Sequence, residues 1–243
     1  RVTSHLSGLL YRISSFGEKG IRVVCVFDGE PPSLKEEEIK RRSKIKEDAQ
    51  IMYEKALVRG DMQEARIQAQ ASTRIRDSMI DDSKRLLDAL GIPWIEAPSE
   101  GEAQAAHMAT EGSVWAASSQ DYDSLLFGAP RLIRNLSISG RRKLPRKDVY
   151  VEVEPEIVEL SQVLDQLQIT REQLVDLGIL LGTDYNPDGV RGIGPKTALK
   201  LLKEKGSLRK SYHQLTFLFS VVPDRSRVRQ QESITFLQAP AAP

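Results

Sequence analysis

Two short apolar runs constrain this chain more than any other feature. Residues 21–27 include Val23-Val24-Cys25-Val26-Phe27 and end in Asp28-Gly29, followed by Pro31-Pro32. Residues 114–119 run apolar into Gln120-Asp121-Tyr122-Asp123. Runs of this kind, closed by turn residues, are strands buried on both faces, and such strands belong to parallel sheets covered by helices. Helical patterns separate them. Leu6, Leu9, Leu10 and Ile13 open one; a long charged stretch over 33–79, interrupted near Gly60, is the next. An amphipathic helix over 81–90 closes at Gly91, a short strand covers 93–97, and Ser99 begins a helix reaching about Thr110. Residues 132–153 read as strands joined by a basic turn. Thr170 caps a helix through Leu181, and after a glycine-rich turn a second helix covers 195–203. The alternation predicts an α/β fold, a mostly parallel central sheet flanked by helices. A chain of 243 residues holds one such domain, alone or with an appended module. No apolar run is long enough to cross a bilayer.

Carboxylates gather at the ends of these elements. Asp28 follows one strand, and Asp121 and Asp123 follow another, where ligands collect in open α/β sheets. If the segment stays extended, Asp121 and Asp123 point to one side. Glu100 and Glu102 open the helix after the strand at 93–97, and Asp184 follows the helix ending at Leu181. Each has a structural alternative. Asp28-Gly29 also suits a plain turn. Ser99 with Glu102 fits a capping box, and both glutamates sit where a helix dipole favours negative charge. Together, six like charges near strand and helix ends cost folding energy unless cations neutralise them. Hard oxygen donors select magnesium, with manganese as a substitute, and a pair of such ions is a device for phosphodiester hydrolysis.

The net charge of +1 hides a segregation. Seven basic residues and no acidic one occupy 131–147, and seven more occupy 191–210 against Glu204 alone. Basic patches beside separate carboxylates suit an enzyme that binds a polyanion and holds divalent metal. His5, His107 and His213 have no zinc-ligand spacing. The single cysteine, Cys25, reads as a structural thiol.

The charged stretch has its own pattern. Glu36–Lys40, Glu37–Arg41 and Glu38–Arg42 form i,i+4 pairs in the favourable orientation, which describes a solvated helix. Lys35, Arg42 and Lys46 also align on one face, a basic stripe able to hold a phosphate. The segment Gly189-Val190-Arg191-Gly192-Ile193-Gly194-Pro195-Lys196-Thr197 is neither a dinucleotide fingerprint nor a P-loop, since no strand precedes it and Pro195 lacks an amide N–H. It describes a hairpin of two helices, with Pro at the first helical position. Its free amides, with Lys196, Lys200 and Lys203, suit a phosphate backbone; an ordinary helix connection is the alternative.

The chain resembles the flap endonucleases, the archaeal type above all, within the structure-specific 5′-nucleases. The resemblance rests on Thr3-Ser4-His5-Leu6-Ser7-Gly8-Leu9, Val26-Phe27-Asp28-Gly29-Glu30-Pro31-Pro32, Ala97-Pro98-Ser99-Glu100-Gly101-Glu102-Ala103, Ser119-Gln120-Asp121-Tyr122-Asp123 and Gly182-Thr183-Asp184-Tyr185, in family order. It implies that Asp28, Glu100, Glu102, Asp121, Asp123 and Asp184 surround two magnesium ions. It implies catalytic roles for Lys35 and Arg42 at the base of a helical arch over about 33–79, within a nuclease core at 1–165. Residues 166–208 are then a helix-two-turn-helix, whose Gly192, Gly194, Lys196, Thr197 and Lys200 hold duplex DNA beside a potassium ion. The implied substrate is branched DNA cut near the base of a 5′ flap, in replication and repair. Alternatives are a 5′→3′ exonuclease, a bubble-junction nuclease or a non-catalytic junction binder. An archaeal member works at the nucleoid, a eukaryotic one in the nucleus. Family members also carry, upstream of the position of Arg1, a strand with another metal-binding Asp and a helix with an aromatic that stacks on DNA. The chain therefore reads as cut from something longer, and impaired as a fragment. The tail at 209–243 diverges from the family. The sliding clamp expected as a partner finds no recognisable motif there, where Gln231 and Ile234 lack an aromatic pair.

Overall fold

The computed structural model describes residues 3–136, 140–143 and 149–208. The basic residues Arg146 and Lys147, and the tail with Gln231 and Ile234, lie outside the described residues. Apolar strands paired through helical crossovers form the frame. Strand β1 (Cys25–Phe27) runs parallel to β2 (Trp94–Glu96), with Val26 opposite Ile95. Strand β3 (Ala117–Ser118) runs parallel to β4 (Arg131–Arg134), and β7 (Glu156–Glu159) adds to β4 antiparallel. Strands β5 (Gly140–Lys143) and β6 (Tyr150–Val153) form an antiparallel pair. The α/β class is as expected, but the sheet is divided: among the described residues the strands form three small sheets. The run at 21–27 contributes only β1, and its residues are half-buried.

Helices make up most of the remainder. Helix α1 (Ser4–Glu18) precedes β1, and a 3₁₀ turn at Ser33–Lys35 leads into α2 (Glu36–Arg59). Gly60, in the left-handed region at φ 74°, ends α2 where the interruption was expected. Asp61 then caps α3 (Met62–Ala71) by accepting from the Glu64 amide. Helix α4 (Asp77–Leu90) begins before the expected Asp81, because the Met79 amide already reaches the Arg76 carbonyl at 2.8 Å. Gly91 closes it. Helices α5 (Gly101–Thr110), α6 (Asp123–Leu126), α7 (Leu160–Leu167), α8 (Arg171–Leu181) and α9 (Pro195–Lys205) complete the order. Strand β7 and helices α6 and α7 were not anticipated, whereas the Thr170 cap is present as a full capping box with Gln173.

The core decides what these elements position. Leu125, Leu132, Leu160, Ile169 and Leu174 bring α6, β4, α7 and α8 together. Burying a leucine such as Leu132, which is fully inaccessible, contributes about 1.5–3 kcal/mol. Ala106, Ala117 and Ala129 form a second cluster, small enough to let α5 lie close on β3. Leu180, Ala198 and Leu202 pack α8 against α9 as a helical hairpin. Helix α2 is different. It buries only Glu38, Ala49 and Ala56 and packs on α3, so most of its length is the solvated helix its ion pairs describe. Glu36–Lys40 and Glu38–Arg42 form as expected; Arg41 turns to Glu38, at 2.6 Å, in place of Glu37.

The connection between α8 and α9 rests on its glycines. Gly189 has φ 57°, and a Cβ there would lie 2.6 Å from the Leu181 carbonyl carbon. Gly192 has φ 83° with nothing within 4 Å. Alanine at Gly192 therefore costs the left-handed backbone alone, about 1–2 kcal/mol. Alanine at Gly189 also forces the end of α8 to move, and should cost roughly twice as much. Urea unfolding of the two variants measures the difference; equal losses would contradict the close approach.

Candidate active site

The helix that carries Glu100 and Glu102 is held by a carboxylate distant in sequence. Asp28 Oδ1 accepts a hydrogen bond from the Gly101 amide at 2.7 Å. An anion at a helix N-terminus satisfies an orphan donor and complements the dipole. Glu100 is the residue preceding the first turn and Glu102 lies within it. The Ser99–Glu102 capping box, the structural alternative for this helix start, does not form. Asp28 engages the Gly101 amide, Ser99 Oγ is buried without a hydrogen-bond partner, and Glu102 accepts from Ser119 Oγ.

Helix α2 enters this edge with its base. Lys35 Nζ lies 2.9 Å from Glu100 and 3.2 Å from Asp184. Arg42 donates Nη2 to Asp184 Oδ1 at 2.5 Å and Nε to Glu38 Oε1 at 2.8 Å. Seven residues apart, Lys35 and Arg42 share a helix face, so both reach Asp184 from one side. Lys46 does not join them; it lines a separate cleft of about 1180 Å³ with His5, Arg74 and Arg76. Glu38 fastens the arrangement from below. Its side chain is only 5 % accessible, and the hydrogen bond from Arg41, supported by Arg42, pulls its pKa down to about 2 against the effect of burial. Burial works against the charge on Lys35, but Glu100 and Asp184 outweigh it and raise the Lys35 pKa.

Asp121 and Asp123 sit at the neighbouring strand end. The chain turns there: Asp123 is the first residue of α6, so a turn rather than an extended segment brings the two acids near each other. Ser119 Oγ accepts from the Asp121 amide at 3.1 Å while donating to Glu102. Burial raises the pKa of Asp123, and repulsion from Asp184 and Asp121 adds to it, with Lys35 opposing. Burial likewise raises that of Glu102, aided by Asp123, Asp121 and Glu100 against the Ser119 hydrogen bond. Glu100, Glu102, Asp121, Asp123 and Asp184 thus feel one another, although they come from separate parts of the chain.

Tyr185 belongs to the site and was not singled out from the sequence. Its hydroxyl donates to Glu100, and Lys35 Nζ lies 5.0 Å from its ring centroid. Burial, with Glu100 as hydrogen-bond partner and negative neighbour, pushes its pKa well up, so it stays a donor. Its place beside Asp184 in Gly182-Thr183-Asp184-Tyr185 was the available signal. Gly192 and Gly194 on the α8–α9 connection, with Lys196, Thr197 and Lys200 in the first turns of α9, form a separate exposed group. Gly194 precedes α9, Pro195 opens it, and Lys200 faces Glu204 at 3.8 Å.

The donor set suits a hard divalent cation: all carboxylate oxygen, partly buried and mutually repelling. Among the described residues, no three His, Cys, Asp or Glu side chains converge as they would around one ion. Lys35 and Arg42 draw Glu100 and Asp184 toward α2, and Ser119 draws Glu102 toward β3. Among the described residues no helix is long and apolar enough to cross a membrane.

Residues 1–49 match the family described as XPG N-terminal domain, and residues 91–184 match the XPG I-region. Flap endonuclease 1 of Hyperthermus butylicus is 64% identical over 203 residues, covering 84% of this chain and 58% of its own length. That of Staphylothermus marinus is 54% identical over 244 residues, 100% of this chain and 68% of its own. The chain thus spans about three-fifths to two-thirds of these curated relatives. Among solved structures, flap endonuclease-1 from Methanococcus jannaschii aligns with TM-score 0.61 and 42% identity, over 90% of this chain and 67% of that one. The catalytic core of Rad2 in complex with DNA substrate aligns with TM-score 0.63 and 26% identity, over 96% and 60%.

The burial of Asp123, with repulsion from its acidic neighbours, predicts a measurable instability. A raised folded pKa means that the folded protein holds the proton more tightly than the unfolded chain, so stability falls as pH rises through that range. With divalent metal chelated at pH 7, Asp123→Asn should raise the unfolding temperature by about 2 °C, modest because the side chain is only partly buried. The advantage should vanish below the ordinary Asp value of 3.8, where the unfolded chain is protonated too. Thermal melts across pH test this; a destabilised variant at pH 7 would contradict it.

Proposed function

The chain belongs to the flap endonuclease family, and from that premise we propose that it is a structure-specific 5′-flap endonuclease acting on branched DNA in replication and repair. The observation that carries this reading is the meeting of Lys35, just before α2, and Arg42, in its second turn, with the carboxylates at the strand ends. In this reading residues 1–165 are the nuclease core, α2 and α3 form an arch, and 166–208 form a helix-two-turn-helix.

Asp28, Glu100, Glu102, Asp121, Asp123 and Asp184 are the residues that would hold two magnesium ions, which manganese can replace. Bound cations would polarise the phosphodiester and lower the pKa of the attacking water. The chain's own groups have distinct tasks. Lys35 and Arg42 transfer their hydrogen bonds from Glu100 and Asp184 to the non-bridging oxygens of the scissile phosphate, stabilising charge that grows during the reaction. Tyr185 fixes the orientation of Glu100 through its hydroxyl. The first-turn amides of α9, with Gly192, Gly194, Lys196, Thr197 and Lys200, grip duplex phosphates without reading bases, and backbone carbonyls of the turn would hold a potassium ion.

A labelled 5′-flap duplex, beside blunt and bubble substrates, tests the proposal. In the full-length context, cleavage should require magnesium, favour the flap and disappear with Asp121→Ala, while flap binding stays within a few-fold. Lys35→Ala and Arg42→Ala should each lower single-turnover cleavage by roughly 10²–10³. Normal cutting by both variants at saturating enzyme would leave α2 a solvated helix and remove the central support.

A further inference from the structure

The turn that carries Asp121 and Asp123 is held from outside by a basic residue with no part in the reading above. Arg134, on β4, donates Nε to the Gln120 carbonyl at 3.1 Å and Nη1 to the Tyr122 hydroxyl. Its guanidinium also lies over the Tyr122 ring, 4.1 Å from the centroid. Behind it, Glu156 approaches Nη1 at 3.3 Å, from the residue paired with Arg134 in the β4–β7 ladder. One planar group thus touches the residues on both sides of Asp121. On the inner side, Ser119 Oγ receives the Asp121 amide, and the Tyr122 carbonyl accepts from Leu125 at the start of α6. Tyr122 is half-exposed, so burial alone does not hold its ring in place.

We propose that Arg134 is a positioning residue for the Asp121–Asp123 turn, holding both acids in the orientation that divalent-cation binding requires. This rests on the metal-dependent nuclease reading and deepens it. The fork geometry matters. A guanidinium can address a carbonyl, a hydroxyl and a ring face at once, whereas a lysine ammonium has one donor centre and no plane to stack. The pair with Glu156 alone does not explain the arrangement, because that carboxylate is 54 % accessible and such pairs contribute little. Outer groups that orient metal-binding side chains change affinity or activity by about 10–100-fold when removed.

Arg134→Lys separates positioning from charge, since the positive charge that DNA senses remains. Mn²⁺ binding to the full chain without DNA, followed by the electron paramagnetic resonance of free Mn²⁺, should weaken about tenfold or more. Flap cleavage should need correspondingly more metal, with DNA affinity and its salt dependence unchanged. Tyr122→Phe keeps the stacked ring and loses only the hydroxyl; it should shift Mn²⁺ binding less, in the same direction, and provides a folded second variant. Both variants binding Mn²⁺ within twofold of wild type would overturn the proposal while leaving the nuclease reading intact. A weakened, less salt-dependent DNA affinity with unchanged Mn²⁺ binding would overturn it too, making Arg134 a phosphate contact. A wild-type chain that binds no Mn²⁺ would overturn the reading of these carboxylates as a metal site, and this proposal with it.

Discussion

Lys35 Nζ lies between Glu100 and Asp184, and the other groups of the site are arranged around that contact. Its side chain and that of Glu100 are each 15% accessible, so the pair sits in a medium where attraction is stronger than at the surface. Desolvation opposes both charges. The opposition is offset because Glu100 also accepts from Tyr185, and Asp184 also accepts from Arg42. A highly charged helix that buries little apolar surface is thereby tied to the core at its base. Lys35 and Arg42 stand together beside Glu100 and Asp184.

The carboxylates themselves depend on three different supports. Asp28 is engaged by the first amide of α5, Glu102 by Ser119, and the Asp121 turn by Ser119 from within and Arg134 from without. Ser119 and Asp121 are near neighbours in sequence, but the contacts of Asp28 with Gly101, Glu102 with Ser119 and Gln120 with Arg134 join different elements, so the site is a property of the assembled fold. The α8–α9 hairpin is more local. Its apolar contacts are mostly confined to 177–208, and its glycine turn is set by residues within a few positions. Asp184 connects the two parts, since it follows α8 yet reaches Lys35 and Arg42.

Local pattern and chemistry showed a good part of this in advance. Apolar runs ending in acids located β1 and β3, seven-residue spacing aligned Lys35 with Arg42, and Pro195 after Gly194 marked the start of α9. Long-range partners were hidden. Nothing near Ser99 indicates that Asp28 will take the Gly101 amide and that no Ser99–Glu102 capping box will form. Alternation suggested an extended Asp121–Asp123 segment, because the pull of Leu125 into the core, which starts α6, comes from Leu132, Leu160 and Leu174. Arg134 reads in sequence as one basic residue among many until β4 is placed beside β3. The strands are also shorter than their apolar runs, since ladder formation needs a partner at each position and apolar character alone does not supply one.

The central claim is that Lys35 and Glu100 attract each other strongly enough to fasten the base of α2 to the carboxylate edge. A double-mutant cycle with Lys35→Met and Glu100→Gln, measured by urea unfolding with divalent metal chelated, isolates that coupling. The account predicts a favourable coupling of about 1 kcal/mol or more, within the range for contacting groups in one network. A coupling indistinguishable from zero would mean that α2 is held elsewhere and that its approach to the carboxylates is incidental.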